Sequence, residues 1–565
     1  MKYAYILLAM GAMLVSTRQA QGQADYVLIN GRLYTVDPAQ PVAEAMAVRG
    51  DRILMVGTTA QLTDVYPDAP HIDLEGRVVV PGFIDAHAHL MGLGLNRMRA
   101  DLTGTRSVQE ILERLETFAQ QLPRDAWLLG RGWDQNDWPV KEFPTRQMLD
   151  AVFPERPVWL VRIDGHAAWA NTAAIRRAYP ALLTEAVPDP EGGHIVRDAE
   201  GRPTGVFIDA AMDLIARHIP PPSEAELDEA LRRAVAEANR FGLTGVHDAG
   251  TSLATIRRYQ QAVDAGTLTL RLYVMVDGLG EAFQHFCAQG PLLNYGGRLT
   301  VRSVKLYIDG ALGSRGAALL ADYSDDPGNR GLLRYEPEAF AQMVARAMQC
   351  GFQVNTHAIG DRGVRVVLDV YEKALQTLGR TVGRHRVEHA QVIAPEDFAR
   401  FAQLNIIASM QPTHATSDMY WAEDRLGPER VQGAYAWRTL LQHGVRLAFG
   451  SDFPVESVNP LLGFYAAITR QDADGWPEGG WYPEQRLTRE EALRAFTLDA
   501  AYAAFQEHEL GSLTPGKYAD FVVLSHDIMT VPPAQILQTR VLATFLGGQC
   551  VYADPEAAAL CPAPR

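Results

Sequence analysis

The sequence predicts an α/β protein: a (β/α)8 TIM barrel, a small β-sandwich built from both chain ends, and a subdomain inserted after the first barrel strand. Three observations carry this expectation. The middle of the chain alternates short apolar, β-branched runs with amphipathic helical stretches, the pattern of a parallel sheet. Eight such runs can be read, and eight strands close a barrel. Both termini instead show short strands divided by turns, and each set alone would make only a marginal sheet.

In chain order, residues 1–22 open with Lys2, run through an apolar stretch to Ser16 and end in small residues. The stretch is too short to span a bilayer comfortably, so it predicts an export signal with cleavage at Ala20-Gln21-Gly22 or Gly22-Gln23-Ala24. The expected location is periplasmic or secreted, without stable membrane insertion of the mature chain. Residues 23–78 carry Tyr26-Val27-Leu28-Ile29, the turn Asn30-Gly31 and Arg32-Leu33-Tyr34-Thr35-Val36. Residues 505–565 repeat that texture, with Phe521-Val522-Val523-Leu524 and a run over 541–546 ahead of Gly547-Gly548. The two ends are expected to pair into one composite sandwich.

Residues 79–504 form the predicted barrel, with strands over 79–85, 243–248, 271–276, 302–308, 352–357, 385–389, 405–410 and 446–451. Helical periodicity over 224–240, 337–349, 363–378 and 395–403 falls between several of them. The first two strands are separated by ~150 residues, too many for one crossover. That gap holds strand-like runs of its own at 127–131, 158–163 and 205–208, so an inserted subdomain is expected over about 95–240.

Composition narrows the class of partner. With 47% hydrophobic and 21% charged residues, the 565-residue chain can bury a large core like an ordinary soluble protein. A net charge of −15 and the lack of any Lys/Arg cluster exclude nucleic acid. A small-molecule substrate remains, and an acidic surface does not prevent a homodimer. Cys287, Cys350, Cys550 and Cys561 are too few for a disulfide scaffold and match no zinc knuckle. Cys550 and Cys561 either pair across a short loop or stay free.

The chemistry lies where the strands end. Active sites of such barrels form at the C-terminal ends of the strands. The first strand runs into His87-Ala88-His89, and residues two apart on an extended chain point the same way, so both imidazoles can grip one ion. The fifth strand ends at His357, the sixth at His389, and Asp452 follows the eighth; Lys305 interrupts the apolar fourth strand. Each has a bland alternative. A lone strand His is more often a hydrogen-bonded core residue, an Asp after a strand can cap a helix, and a buried Lys can pair with a carboxylate. Convergence at one end of one barrel favours metal binding.

These residues resemble the amidohydrolase superfamily: the Pro81-Gly82-Phe83-Ile84-Asp85-Ala86-His87-Ala88-His89 segment, Lys305, His357, His389 and Asp452. The long insertion, Arg131-Gly132-Trp133-Asp134, and the stretch from Lys305 through Gly310-Ala311-Leu312-Gly313-Ser314 to Arg315 resemble its branch that contains N-substituted formamide deformylases. The resemblance implies that His87, His89 and Asp452 hold the more buried metal and that His357 and His389 hold the more exposed one. Lys305 matches the position where a carboxylated lysine often bridges the two. A desolvated Lys near cations loses its proton, and the neutral amine can add CO₂. The expected cofactor is two Zn²⁺, which suit a His-rich shell, with Mn²⁺, Fe²⁺ or Co²⁺ as substitutes. The expected reaction is hydrolysis of an amide-type C–N bond in a small N-substituted formamide or related N-acyl compound. Metal activates water, and Asp452 acts first as base and then as acid.

Further residues read less sharply. Trp133, Asp134, Asp164, His166 and Arg315 are candidates for the substrate pocket, each with an equal structural alternative; Arg315 either clamps an anionic group or braces its loop. His414, three residues after Gln411, is open in the same way. His247 and Asp248 are read as support for ligands rather than ligands. Trp133, Trp138, Trp169 and Trp421 suggest an apolar wall, although aromatic residues more often build core. The same site would equally serve an ester, lactone or cyclic amide, and a non-catalytic metal-binding barrel is the reading from a different class.

Overall fold

The computed structural model describes residues 23–562 except 164, 166, 191, 192 and 380. The expected export signal, residues 1–22, lies outside the described residues. The chain divides into two compact units, one of residues 91–234 and one made of the segments on either side.

The larger unit holds the barrel. Its eight parallel strands are Phe83–Ala88, Leu243–Thr251, Arg271–Asp277, Leu299–Tyr307, Gln353–Ala358, Arg386–His389, Ile407–Met410 and Leu447–Phe449, each beside its sequence neighbour. They are buried on both faces because side chains fill the interior and helices cover the outside. The helix Pro337–Gln349 buries Phe340, Val344, Ala347 and Met348, and Asp361–Leu378 buries Val364, Val367, Leu368 and Tyr371. Spacings of three and four make that one stripe per helix.

The first and eighth strands share no ladder, and polar contacts join them instead. Asp452 N–H donates to His87 O at 2.8 Å, and Ser451 Oγ donates to the Asp85 carboxylate at 2.6 Å. A Cβ on Gly450 would sit 2.4 Å from Asp85 Oδ1 and 2.5 Å from the His87 nitrogen, so only glycine lets the last strand come this close. Closure of the barrel therefore delivers Asp452 to His87 directly.

Both chain ends share a six-stranded sheet in the order Gln549–Ala553, Val541–Leu546, Phe521–Leu524, Val78–Pro81, Arg32–Tyr34 and Val42–Ala43. A second sheet of four strands packs with it around Leu28, Met46, Val79, Phe521, Val523 and Phe545. The predicted strand over 79–85 is in fact two. Val78–Pro81 runs antiparallel to Phe521–Leu524, and the first barrel strand begins at Phe83. The break falls at Gly82, whose N–H donates to Asp520 O and where a Cβ would lie 2.2 Å from Thr244 Oγ1. The apolar run conceals the turn because both sheets are buried there.

The unit of residues 91–234 is built on a six-stranded mixed sheet that includes Leu128–Trp133, Val158–Arg162 and Pro203–Asp209, with the helix Val108–Ala119 against it. Leu102, Ile111, Leu115, Trp133, Trp138 and Trp169 share one of its cores.

Cys550 pairs with Cys561, the alternative that the sequence left open, and Cys287 pairs with Cys350. The second bridge spans 63 residues, a separation that local spacing does not reveal. It ties the helix Glu281–Gln289 to the end of Pro337–Gln349. On chain-entropy grounds, a Cys287→Ser/Cys350→Ser variant is expected to unfold with up to roughly 4 kcal/mol less stability. Denaturant melts of the oxidised protein and the variant measure this, and coincident curves would count against a stabilising bridge.

Candidate metal centre

All six predicted metal residues meet at the C-terminal mouth of the barrel. Ligand atoms of His87, His389 and Asp452 lie within 4.8 Å of one another. The imidazole of His389 stands 4.7 Å from that of His87 and 4.6 Å from that of His357, centre to centre. Lys305 Nζ is 3.0 Å from His87 Nε2, and His89 Nε2 is 3.1 Å from Asp452 Oδ1. His87, Lys305, His389 and Asp452 are buried, whereas His89 and His357 are partly open. His389 and Asp452 also hold φ of 73° and 61°, a left-handed backbone uncommon outside glycine, and such strain persists where the surroundings enforce it.

The hydrogen bonds decide what these nitrogens can do. His87 Nδ1 faces Glu388 Oε2 at 2.5 Å, His89 Nδ1 faces the Ala249 carbonyl at 2.9 Å, and His389 Nδ1 faces Gln411 Oε1 at 2.9 Å. Every partner is an acceptor, so each Nδ1 carries a proton and each Nε2 is the atom turned toward the centre of the site. There His87 Nε2 meets Lys305 Nζ at 3.0 Å and His89 Nε2 meets Asp452 Oδ1 at 3.1 Å. Imidazole nitrogens and a carboxylate gathered this closely fit a divalent metal, which would take the place of these contacts. His357 Nε2 is 3.5 Å from Gly310 O, which leaves Nδ1 as its ligand atom.

Electrostatics point the same way. Burial, reinforced by Lys305, holds the His87 imidazole well below its ordinary pKa and takes His357 down to about 3. Burial likewise keeps His389 neutral. Burial also lowers Lys305, against the pull of Glu388 and Asp452. For Asp452 burial pushes upward, but the contact with His89 and the neighbouring imidazoles outweigh it and hold the carboxyl well below the usual range. His87, His357 and His389 are thus neutral, as metal ligands must be, whereas for His89 burial pushes downward but the contact with Asp452 outweighs it and raises the imidazole.

A buried chain of polar groups stands behind His87. Glu388 takes its Nδ1 proton, Arg386 lies 3.9 Å from Glu388 Oε1, and all three side chains are fully buried. Arg386 donates to Ala86 O and to His247 Nδ1. His247 thus stands behind the first strand, and Asp248 accepts from Leu90 N, Thr251 Oγ1 and Tyr259 OH. Sequence reasoning missed Glu388. Its one available signal was a pair of opposite charges, at 386 and 388, facing the same way in the four-residue strand Arg386–His389.

The candidate substrate residues are placed differently. Trp133 is fully buried, donates from its indole nitrogen to Leu160 O at 2.9 Å, and packs on Trp138 and Trp169. These three tryptophans are core of the inserted unit rather than a pocket wall, because a strand pattern does not tell which face meets solvent. Asp134 is ion-paired with Arg162 at 2.5 Å. Asp164 and His166 lie outside the described residues. Arg315 grips Asp325 through Nε and Nη2, at 3.1 and 2.8 Å, and so braces its own loop. Trp421 is half-buried beside Arg425 and Gly313. His414, left open by the sequence, comes to within 3.8 Å of Asp452.

Comparison with known proteins agrees with this picture. The profile described as "Amidohydrolase family" matches residues 71–552. Protein LONG AFTER FAR-RED 3 of Arabidopsis thaliana is 37% identical over 551 residues, covering 94% of this chain and 92% of its own. N-substituted formamide deformylase of Arthrobacter pascens is 29% identical over 550 residues, covering 94% of this chain and 98% of its own. The crystal structure of an uncharacterized metal-dependent hydrolase from Pyrococcus horikoshii superposes with a TM-score of 0.73 at 28% identity, covering 90% of this chain and 99% of that one.

Proposed function

The chain belongs to the amidohydrolase family, and from that premise we propose that it hydrolyses the amide-type C–N bond of a small N-substituted formamide or related N-acyl compound at a two-zinc centre. The observation that carries the metal reading is the convergence of the His87, His89 and His389 imidazoles, each with an acceptor behind its Nδ1, on the buried Asp452 carboxylate. The substrate class is supported by the deformylase relative, which matches along nearly the whole chain. The His-rich shell suits zinc.

In this reading His87, His89 and Asp452 would hold one ion, His357 and His389 the other, and Lys305, as the N6-carboxylate, would contribute a further anionic ligand. Bound divalent ions supply Lewis acidity toward water and the acyl oxygen. The protein's own part is proton handling and orientation. The Asp452 carboxylate, kept ionised by the imidazoles around it, holds the attacking water and takes its proton. It then gives that proton to the departing nitrogen, without which the amine is a poor leaving group. Burial lowers the Lys305 pKa and so favours the neutral amine that addition of CO₂ requires. We further propose that the protein works outside the cytoplasm, an assignment supported by its two disulfides and by the Lys2-led apolar stretch.

The test is a metal assay joined to a substrate screen. The purified protein is expected to take up two zinc ions, more completely with bicarbonate present, and to release amine from a panel of N-alkyl and N-aryl formamides. Cleavage of lactones or N-acyl amino acids without any formamide turnover would move the substrate class. Failure to retain any ion would overturn the reading.

A further inference from the structure

The two oxygens of Asp452 face different neighbours. Oδ1 looks toward His89 Nε2 at 3.1 Å and His87 Nε2 at 3.8 Å, whereas Oδ2 looks toward His414 Nε2 at 3.8 Å. His414 stands on the short helix Pro412–Asp418 directly after the seventh barrel strand. Its side chain is nine-tenths buried, and its Nε2 has no hydrogen-bond partner among the described residues.

His414 differs from the ligand histidines in one chemical respect. Their Nδ1 atoms face a carboxylate, a carbonyl and an amide oxygen. His414 Nδ1 faces an amide nitrogen, Gln391 Nε2, at 3.2 Å. An amide nitrogen only donates, so Nδ1 accepts and the imidazole proton is placed on Nε2, pointing at Asp452. The surroundings keep the ring there. It lies parallel to His389 at 6.0 Å, and Gln391 O accepts from Tyr435 N at 2.7 Å. Tyr435 OH in turn bonds Asp418 on the His414 helix, and Ser417 Oγ donates to Glu456 at 2.6 Å, tying that helix to the loop that carries Asp452.

We propose that His414, oriented by Gln391, is a positioning residue for Asp452: it donates from Nε2 to Oδ2 and so reserves Oδ1 for metal. The separation of 3.8 Å is longer than a hydrogen bond and closes with a small rotation of the carboxylate, as such contacts do when a site is assembled. The N–H donor keeps Asp452 from turning both oxygens onto the ion. Oδ2 is thereby kept for the proton that Asp452 passes from water to the leaving nitrogen. That last step rests on the hydrolytic reading above; the pin itself does not.

The test uses the full chain loaded with cobalt(II), whose visible absorption reports the ligand field. His414→Phe keeps a ring but has no donor. Gln391→Glu keeps the side-chain size but offers an acceptor, which draws the proton to Nδ1 and turns a bare Nε2 toward Asp452. Both are expected to hold cobalt at wild-type stoichiometry with a shifted visible band, and His414→Gln, which returns an N–H near the same place, is expected to restore it. In turnover the first two should lose about 10–100-fold in kcat, with KM altered by less than about threefold. An unshifted band in His414→Phe overturns the proposal, as does loss of one cobalt ion, which would make His414 a ligand. A wild-type protein that holds cobalt yet cleaves no acyl compound overturns the hydrolytic reading instead and leaves the spectral test standing.

Discussion

Asp452→Asn is expected to retain its metal and to lose about 10²–10⁴-fold in kcat, the range of a lost general acid–base. The substitution keeps size and leaves one oxygen to coordinate, so geometry changes little. Proton affinity changes completely, because an amide neither takes a proton from water nor carries one to the leaving nitrogen. The wild-type carboxylate is buried, and only the contact with His89 and the neighbouring imidazoles keeps it ionised. Amine release followed against metal content per chain measures the effect. Turnover within a few-fold of wild type would move the proton to another group.

His87→Ala is expected to do more than remove a ligand. Glu388 and His87 are both fully buried, and Glu388 Oε2 lies 2.5 Å from the Nδ1 it would lose. Two cations remain: Arg386, 3.9 Å from the other carboxylate oxygen and shared with Ala86, Ala503 and His247, and Lys305. A buried carboxylate stripped of its main partner costs about 3–5 kcal/mol, and Arg386 places this one toward the lower end. Adding Glu388→Gln removes the charge and is expected to recover part of the loss, although the cavity left by the imidazole remains. Denaturant unfolding of the two variants and wild type, all stripped of metal so that lost binding does not enter, reads this directly. Equal stability of the single and double variants would show that Glu388 does not depend on His87.

The candidate ligand residues were legible because their chemistry is local. His87 and His89 share a face by strand alternation, His357 and His389 stand at the ends of barrel strands, and Asp452 follows one. Other features depended on which partner lies across the barrel. Gly82 hides a passage from one sheet to another inside an unbroken apolar stretch. Trp133 has the composition of a pocket residue, and its burial against Trp138 and Trp169 decides otherwise. Arg315 was free to be a clamp until Asp325 met it.

By itself the sequence determined the barrel, the end of it that carries the chemistry, and the residues able to bind metal, because the strand period and side-chain type are properties of short segments. Only the tertiary structure decided the proton positions. Glu388 behind His87, Gln411 behind His389 and Gln391 behind His414 are brought together by strand pairing and barrel closure across as many as 301 residues. A histidine becomes a ligand or a donor according to whether an acceptor or an amide nitrogen faces its second nitrogen, and no spacing within one strand encodes that encounter.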